Sequence, residues 1–299
     1  VKDWQKKAIR DAAKSFIPFQ PALRSLKRSV VPYQDNRENS MLALRQGIEQ
    51  IKTLRAAGIT INGTVLEFGS GWIPLIPFIF YICGATKIIL TDVERLMDSR
   101  TIKIAYNLIC ENIPLISEQL CMAKIDIVER MNKFDYEYLV PWNSRKTRDN
   151  SLDIIISRAV FEHIPKKSVS EFFSEFRRII KPAGAMCHFI DNSDHSEHLD
   201  KSLSRLNFLQ FDSNDTWWRV ICKNPQNYQN RLRHSDYVAL LEESGWSIAQ
   251  AIGEPDPGAL QDLSSLDLAH EFRSKEPVDL AILTSCFVAR PNSSSVKNA

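Results

Sequence analysis

The chain has 299 residues, 44% of them hydrophobic and 25% charged, and a formal net charge of +2. That length can bury a substantial core, as one large domain or a domain with a lid, and the composition is that of a globular protein in water. The near-neutral balance argues against the strong basic field of a nucleic-acid binder; the six scattered cysteines, without a C-x-x-C pair, fit a reducing, cytoplasmic setting better than a disulfide framework or zinc site.

Residues 1–28 hold eight Lys/Arg against two Asp/Glu, with Trp4, Ala8, Ala12 and Phe16 at helical spacing. They read as an amphipathic helix packed on the domain, with a basic surface for anionic lipid or substrate as the alternative. Ser40 is expected to cap a second helix bearing Leu44, Ile48, Ile51 and Leu54 on one face, closed by Gly58. Residues 1–61 thus form a helical extension ahead of the first core strand.

The stretch Val65-Leu66-Glu67-Phe68-Gly69-Ser70-Gly71-Trp72 carries the clearest signal. An apolar run ends in a carboxylate and enters a Gly-x-Gly turn, where missing Cβ atoms let backbone approach a ligand. The apolar run Ile73–Ile82 fits the helix that follows and is too short to span a bilayer, so no membrane segment is expected. Ile88-Ile89-Leu90-Thr91-Asp92 then reads as a second strand ending in an acid able to hold two ribose hydroxyls. The third glycine of the dinucleotide fingerprint is absent, and Glu67 would repel a pyrophosphate while suiting an ammonium group.

A helix is expected from about Arg100 to Asn112, and a strand near Tyr136–Val140 ahead of Pro141-Trp142-Asn143. The remainder of 113–150 has no clear pattern. Leu152–Ser157 reads as strand four, followed by Arg158-Ala159-Val160-Phe161-Glu162-His163-Ile164 and a helix with Phe172, Phe173, Phe176 and Ile179 buried. Lys181-Pro182-Ala183-Gly184 is expected to end that helix, with strand five at Ala185–Ile190. A helix over Ser235–Ser244, closed by Gly245, precedes two last strands, Trp246–Ile252 and Leu280–Arg290; Pro291–Ala299 reads as a disordered tail. Alternating strands and helices argue for a parallel α/β sheet.

The Gly-x-Gly turn and the later Ser157…Glu162-His163…Lys181-Pro182-Ala183-Gly184 segment, in this order and spacing, resemble the signatures of class I S-adenosylmethionine-dependent methyltransferases over about residues 62–192. The resemblance implies a Rossmann-like seven-stranded sheet of order 3-2-1-4-5-7-6 with strand seven antiparallel, over a domain of residues 62–290. It implies S-adenosylmethionine as cofactor, held by Glu67, Gly69, Ser70, Gly71, Trp72, Asp92, Val93, Ser157 and Arg158. Ile73-Pro74 replaces the family's later glycine. No acid follows strand three to meet adenine, so Trp142 or Asn143 is expected there.

Catalytic groups should follow strands four and five, where ligands of open α/β sheets bind. Residues 188–198 contain three of the chain's six histidines. His195 is read as a general base oriented by Asp191 or Asp194, with a metal site or a solvated polar loop as alternatives; no required metal is expected. Glu162 is read as structural or near the cofactor, and His163 as lining the substrate site. In the lid at about 194–234, Trp217 and Trp218 are a stacking face or lid core, Arg231 and Arg233 an anion clamp or structural ion pairs, and Tyr228 a pocket residue. The expected reaction is O-methylation of a small molecule or glycan, without nucleic acid, with homodimerisation left open. The alternatives are small-molecule N-methylation and a non-catalytic partner subunit. Asn224–Tyr228 resembles an amino-methylation box but lies in the wrong place for one.

Overall fold

The computed structural model describes residues 3–14, 33–198, 200–224 and 228–292. Phe16, the middle of the 224–228 segment and the tail beyond Asn292 lie outside the described residues.

Helix α1 (Asp3–Lys14) and α2 (Arg37–Ala56) precede the sheet. Ser40 is not the cap of α2. Asn36 Oδ1 accepts the Asn39 N–H at 3.2 Å, while Ser40, one turn inside, donates its hydroxyl to Asp35 at 2.5 Å. The core then alternates: β1 (Thr64–Phe68), α3 (Leu75–Ile82), β2 (Lys87–Thr91), α4 (Ser99–Glu111), α5 (Ile113–Leu120), α6 (Lys124–Asn132), β3 (Tyr136–Leu139), β4 (Leu152–Arg158), α7 (Lys166–Ile179) and β5 (Ile180–Asp191). The segment without a clear pattern holds two short helices, α5 and α6, broken where Cys121 turns left-handed at φ 54°. After the lid come α8 (Thr216–Cys222), α9 (His234–Glu243), β6 (Trp246–Ile252), α10 (Pro257–Leu263), α11 (Pro277–Leu280) and β7 (Thr284–Pro291).

The seven strands run in the order β3-β2-β1-β4-β5-β7-β6, with β7 antiparallel to both neighbours. Period-two alternation divides the core. Val65, Ile88, Ile154 and Ile156 pack in one layer with α2, α3 and α4; Leu66, Ile89 and Ile155 pack in the other with Phe173, Phe176, Tyr237 and Trp246. Each such side chain contributes about 1.5–3 kcal/mol when fully buried.

Three boundaries differ from expectation. Lys181-Pro182-Ala183-Gly184 is no turn: α7 passes directly into β5 at Ile180, and the irregularity is absorbed as a register shift opposite Leu152/Ile154. There Gly184 is required, because a Cβ would stand 2.7 Å from the Asp153 carbonyl oxygen. Residues 280–283 are not strand, since α11 ends at Leu280 and β7 begins at Thr284; the strand then carries through Pro291.

The lid is built from two insertions. Leu206, Phe208, Leu209 and Trp218 from the segment after β5 bury against Ala259, Ala269, Phe272 and Leu280 from the segment between β6 and β7. An Arg205–Asp256 ion pair at 2.5 Å joins the two. Helix α1 lies on this lid: Trp4 is buried and its ring stands 5.5 Å from Trp217 and 5.9 Å from Phe211. Among the described residues no helix is long and apolar enough to cross a membrane.

Candidate active site

The turn after β1 is fastened to the end of β2. Gly69 and Ser70 donate their backbone N–H groups to the Thr91 carbonyl at 3.0 and 2.9 Å, and Thr91 Oγ1 donates to the Glu67 carbonyl at 2.8 Å. Gly69 (φ 77°) and Gly71 (φ 63°) are left-handed, a conformation that costs other L-residues roughly 1–2 kcal/mol. At Gly69 a Cβ would also lie 2.5 Å from Val160 Cγ2, whereas in front of Gly71 there is open space. Gly69→Ala should therefore lower the thermal midpoint and weaken cofactor binding, and Val160→Ala should restore part of both, as differential scanning fluorimetry and calorimetry would report.

Asp92 stands before this turn, accepting from Gly71 N–H at 2.9 Å and Val93 N–H at 2.7 Å. Val93 is 84% exposed, an apolar side chain at the rim suited to an adenine face. Tyr33 stacks on Trp72 at 5.1 Å. Glu67 is buried and its Oε2 has no hydrogen-bond partner. Burial pushes its carboxyl well above the ordinary range, against the opposing pull of Ser70, with Asp92 adding to the rise and Arg158 easing it. An orphaned buried acid beside an open glycine turn fits a ligand that brings a cation. If a ligand ammonium fixes Glu67 as carboxylate, binding releases a proton, so affinity should rise with pH until free Glu67 ionises. Calorimetry across pH would show this slope, and Glu67→Gln should flatten it.

Trp142 donates its backbone N–H to the Asp92 carbonyl at 3.1 Å, and its ring packs beside Phe68 and Phe172. Asn143 is exposed, with Oδ1 taken by the Arg145 N–H at 3.1 Å, so its amide oxygen is committed to a local turn. Ser157 is buried, its Oγ 2.8 Å from His188 Nδ1 and its carbonyl bonded by Gln50 of α2 at 2.9 Å. Burial brings the His188 imidazole down to about 3, so this histidine is a neutral core residue among Phe161, Phe173 and Phe176. Arg158 donates to Gln46 at 2.5 Å. Burial lowers its basicity while Glu162, Asp191 and Glu67 hold its charge in place, which puts one guanidinium among three acids.

The adjacent parallel ends of β4 and β5 bring their loops together. His195 Nε2 lies 3.4 Å from Asp191 Oδ2. Burial alone would raise the Asp191 carboxyl, but His195 and the Ser193 bonds (2.9 Å from N–H, 2.6 Å from Oγ) bring it down to about 2. Asp194 is otherwise engaged: it is buried, accepts from Ser196 N–H at 2.7 Å and Asn207 at 3.3 Å, and closes a turn. Of the two aspartates considered as orienters, Asp191 is the one whose carboxylate meets the ring nitrogen. His163 lies edge-on to His195, ring centres 5.0 Å apart, and its Nδ1 is 2.9 Å from the Tyr228 carbonyl. Glu162 is buried beside them; nothing in the sequence spacing pointed to its meeting His195, thirty-odd residues away.

The lid residues divide. Trp218 is buried in lid core under the Arg231 guanidinium, 4.0 Å from its ring centre, while Trp217 contacts Trp4. Arg231 bonds the Phe208 and Phe211 carbonyls, Ser213 and Glu271; Arg233, fully buried, bonds the Asn192 and Ile282 carbonyls at 2.9 and 3.0 Å. Neither arginine is an open anion clamp. A cavity of about 80 Å³ lies between Trp4, Lys7, His195, Phe208, Trp218 and Gln229. It is large enough only for a few waters.

A family model described as "Methyltransferase domain" matches residues 122–188, from just before α6 through most of β5. Among solved structures, a candidate methyltransferase of Bacillus halodurans C-125 is 15% identical, covers 82% of this chain and 99% of its own, and has a TM-score of 0.46. The Haloferax volcanii candidate methyltransferase solved with the Trm112 activator is 13% identical, with 86% and 95% covered and a TM-score of 0.47. PH0226 protein of Pyrococcus horikoshii OT3 is 14% identical, with 83% and 91% covered and a TM-score of 0.44. No curated protein matches. At such distances the assignment rests on the domain match together with the strand order and the fastened glycine turn. Over residues 122–188 the chain is similar to a methyltransferase domain, and its seven strands run in the order expected from the sequence resemblance to class I S-adenosylmethionine-dependent methyltransferases.

Proposed function

We propose that the chain methylates a hydroxyl of a small-molecule or glycan acceptor, with His195 taking the acceptor's proton. The observation that carries this reading is the His195–Asp191 pair, 3.4 Å apart at the carboxyl end of β5, on the side of the sheet where Glu67 and Asp92 would hold the cofactor. S-adenosylmethionine supplies a methyl group already activated on a sulfonium. The chain's own residues then have three tasks. Glu67 meets the ammonium, Asp92 meets the ribose hydroxyls, and Val93 and Trp142 border the adenine. Alignment of this kind contributes about 7–11 kcal/mol to such reactions. Asp191, 3.4 Å from the imidazole, stabilises its protonated form, and the Ser193 hydrogen bonds keep Asp191 ionised. Helix α1 and the two-part lid exclude water from the acceptor.

A radiolabelled-methyl screen of the purified protein against a metabolite and oligosaccharide library tests this reading. Label recovered as a base-stable methyl ether supports it; label recovered as a base-labile ester or on nitrogen, or none on any acceptor in the presence of bound cofactor, refutes it.

A further inference from the structure

We infer that Glu162, His163 and His195 form a binding site for one divalent transition-metal ion. One donor atom from each of the three lies within 4.8 Å of the others. The topology builds this cluster. Glu162 and His163 sit on the short 3-10 turn after β4, His195 four residues beyond β5, and the β4–β5 pairing places the two loops side by side.

Three features point to an ion and not merely to a polar cluster. First, Glu162 is 3% exposed and neither carboxylate oxygen has a hydrogen-bond partner. A buried acid in this state is costly unless something satisfies it. Second, the Tyr228 carbonyl can only accept, so His163 Nδ1 at 2.9 Å carries the proton and Nε2 keeps its lone pair. A ligating histidine is usually held in this way, by a carbonyl or carboxylate on its other nitrogen. Third, His195 Nε2 is buried without a hydrogen bond, beside Asp191.

Two imidazoles and one carboxylate suit zinc, cobalt, iron(II) or manganese better than magnesium or calcium, which take oxygen donors. Three protein ligands leave a position open, as in catalytic metal sites. The inference deepens the proposed O-methylation and rests on it for its chemical purpose. An acceptor hydroxyl in the open position would lose its proton to solvent more readily. Its oxygen would then form the new C–O bond as the C–S bond breaks and sulfur keeps the electron pair, giving S-adenosylhomocysteine. With the ion bound His195 serves as its ligand, and in the ion-free chain it remains the base of the proposed reaction.

The test is binding of Co²⁺ to the chelator-stripped full chain, followed by visible d–d absorption and calorimetry, with Zn²⁺ as competitor. One Co²⁺ per chain should bind, and Zn²⁺ should displace it. Loss of a supporting residue typically costs metal sites about 10–100-fold, so Glu162→Gln, His163→Gln and His195→Gln should each weaken binding at least that much. His198→Gln should not. S-adenosylhomocysteine binding reports whether each variant is folded. Should a variant fail to fold, the wild type still decides, because bound diamagnetic Zn²⁺ should shift the ¹⁵N signals of His163 and His195 and leave those of His188 in place. Absence of stoichiometric Co²⁺ binding, or binding indifferent to all three variants, would overturn the site. If Co²⁺ does not bind while His195→Ala still slows turnover, the metal inference fails and His195 stands as base alone.

Discussion

His195→Ala should lower kcat by about 10²–10⁴-fold, the usual contribution of a positioned general base, with cofactor affinity nearly unchanged. The reason is geometric. His195 belongs to the loop after β5 and contacts Asp191, His163 and His198, whereas Glu67 and Asp92, proposed to hold the cofactor, lie in β1 and just after β2. Asp191→Asn should produce an intermediate loss, because the ring keeps a polar neighbour but loses the charge that stabilises its protonated form. Steady-state kinetics on an acceptor found by the label screen would measure both. Wild-type kcat in His195→Ala would move the proton-accepting role elsewhere, with His163 the next group to examine.

Asp92→Ala should weaken S-adenosylhomocysteine binding by about 1–3 kcal/mol, roughly 5- to 150-fold in Kd. Two effects combine. The ribose loses a charged acceptor, and the Gly71 and Val93 N–H groups lose the carboxylate that holds the turn. Asp92→Asn separates them, since the amide oxygen can still accept from Gly71 while the charge is gone; it should fall between wild type and Asp92→Ala. Calorimetric titration of the three proteins gives the series, and equal Kd values across it would remove Asp92 from the cofactor site.

The sheet was legible wherever a strand is fully buried and ends in a functional residue. Val65–Phe68 and Ile88–Thr91 are continuous apolar runs because both faces are covered, and the acids after them mark the carboxyl edge. Ile154–Ile156 reads the same way. Short helices were not legible: α5 and α6 bury only Ile116, Leu120, Ile127 and Met131 between them, too few repeats to declare a period. Leu280-Ala281-Ile282-Leu283 resembles strand because it is apolar throughout, yet it is buried by the lid and not by the sheet, and Pro277 starts a helical turn just before it. The second insertion was invisible for the same reason, since its partners lie some fifty residues earlier. At the site, local chemistry was readable and tertiary juxtaposition was not. Asp191 and Asp194 look equivalent beside His195 in sequence, and only the bonds that Ser196 and Asn207 donate to Asp194 separate their roles. Arg231 and Arg233 look like a clamp until the carbonyls that consume them are seen.

Calorimetric titration of the purified chain with S-adenosylhomocysteine, and separately with NAD, tests the cofactor assignment most directly. S-adenosylhomocysteine should bind one per chain with Kd on the order of 1 µM, about −8 kcal/mol, and NAD should give no saturable heat. No binding of S-adenosylhomocysteine together with tight binding of NAD would contradict the assignment of Glu67, Gly69, Gly71 and Asp92 to a methyl-donor site.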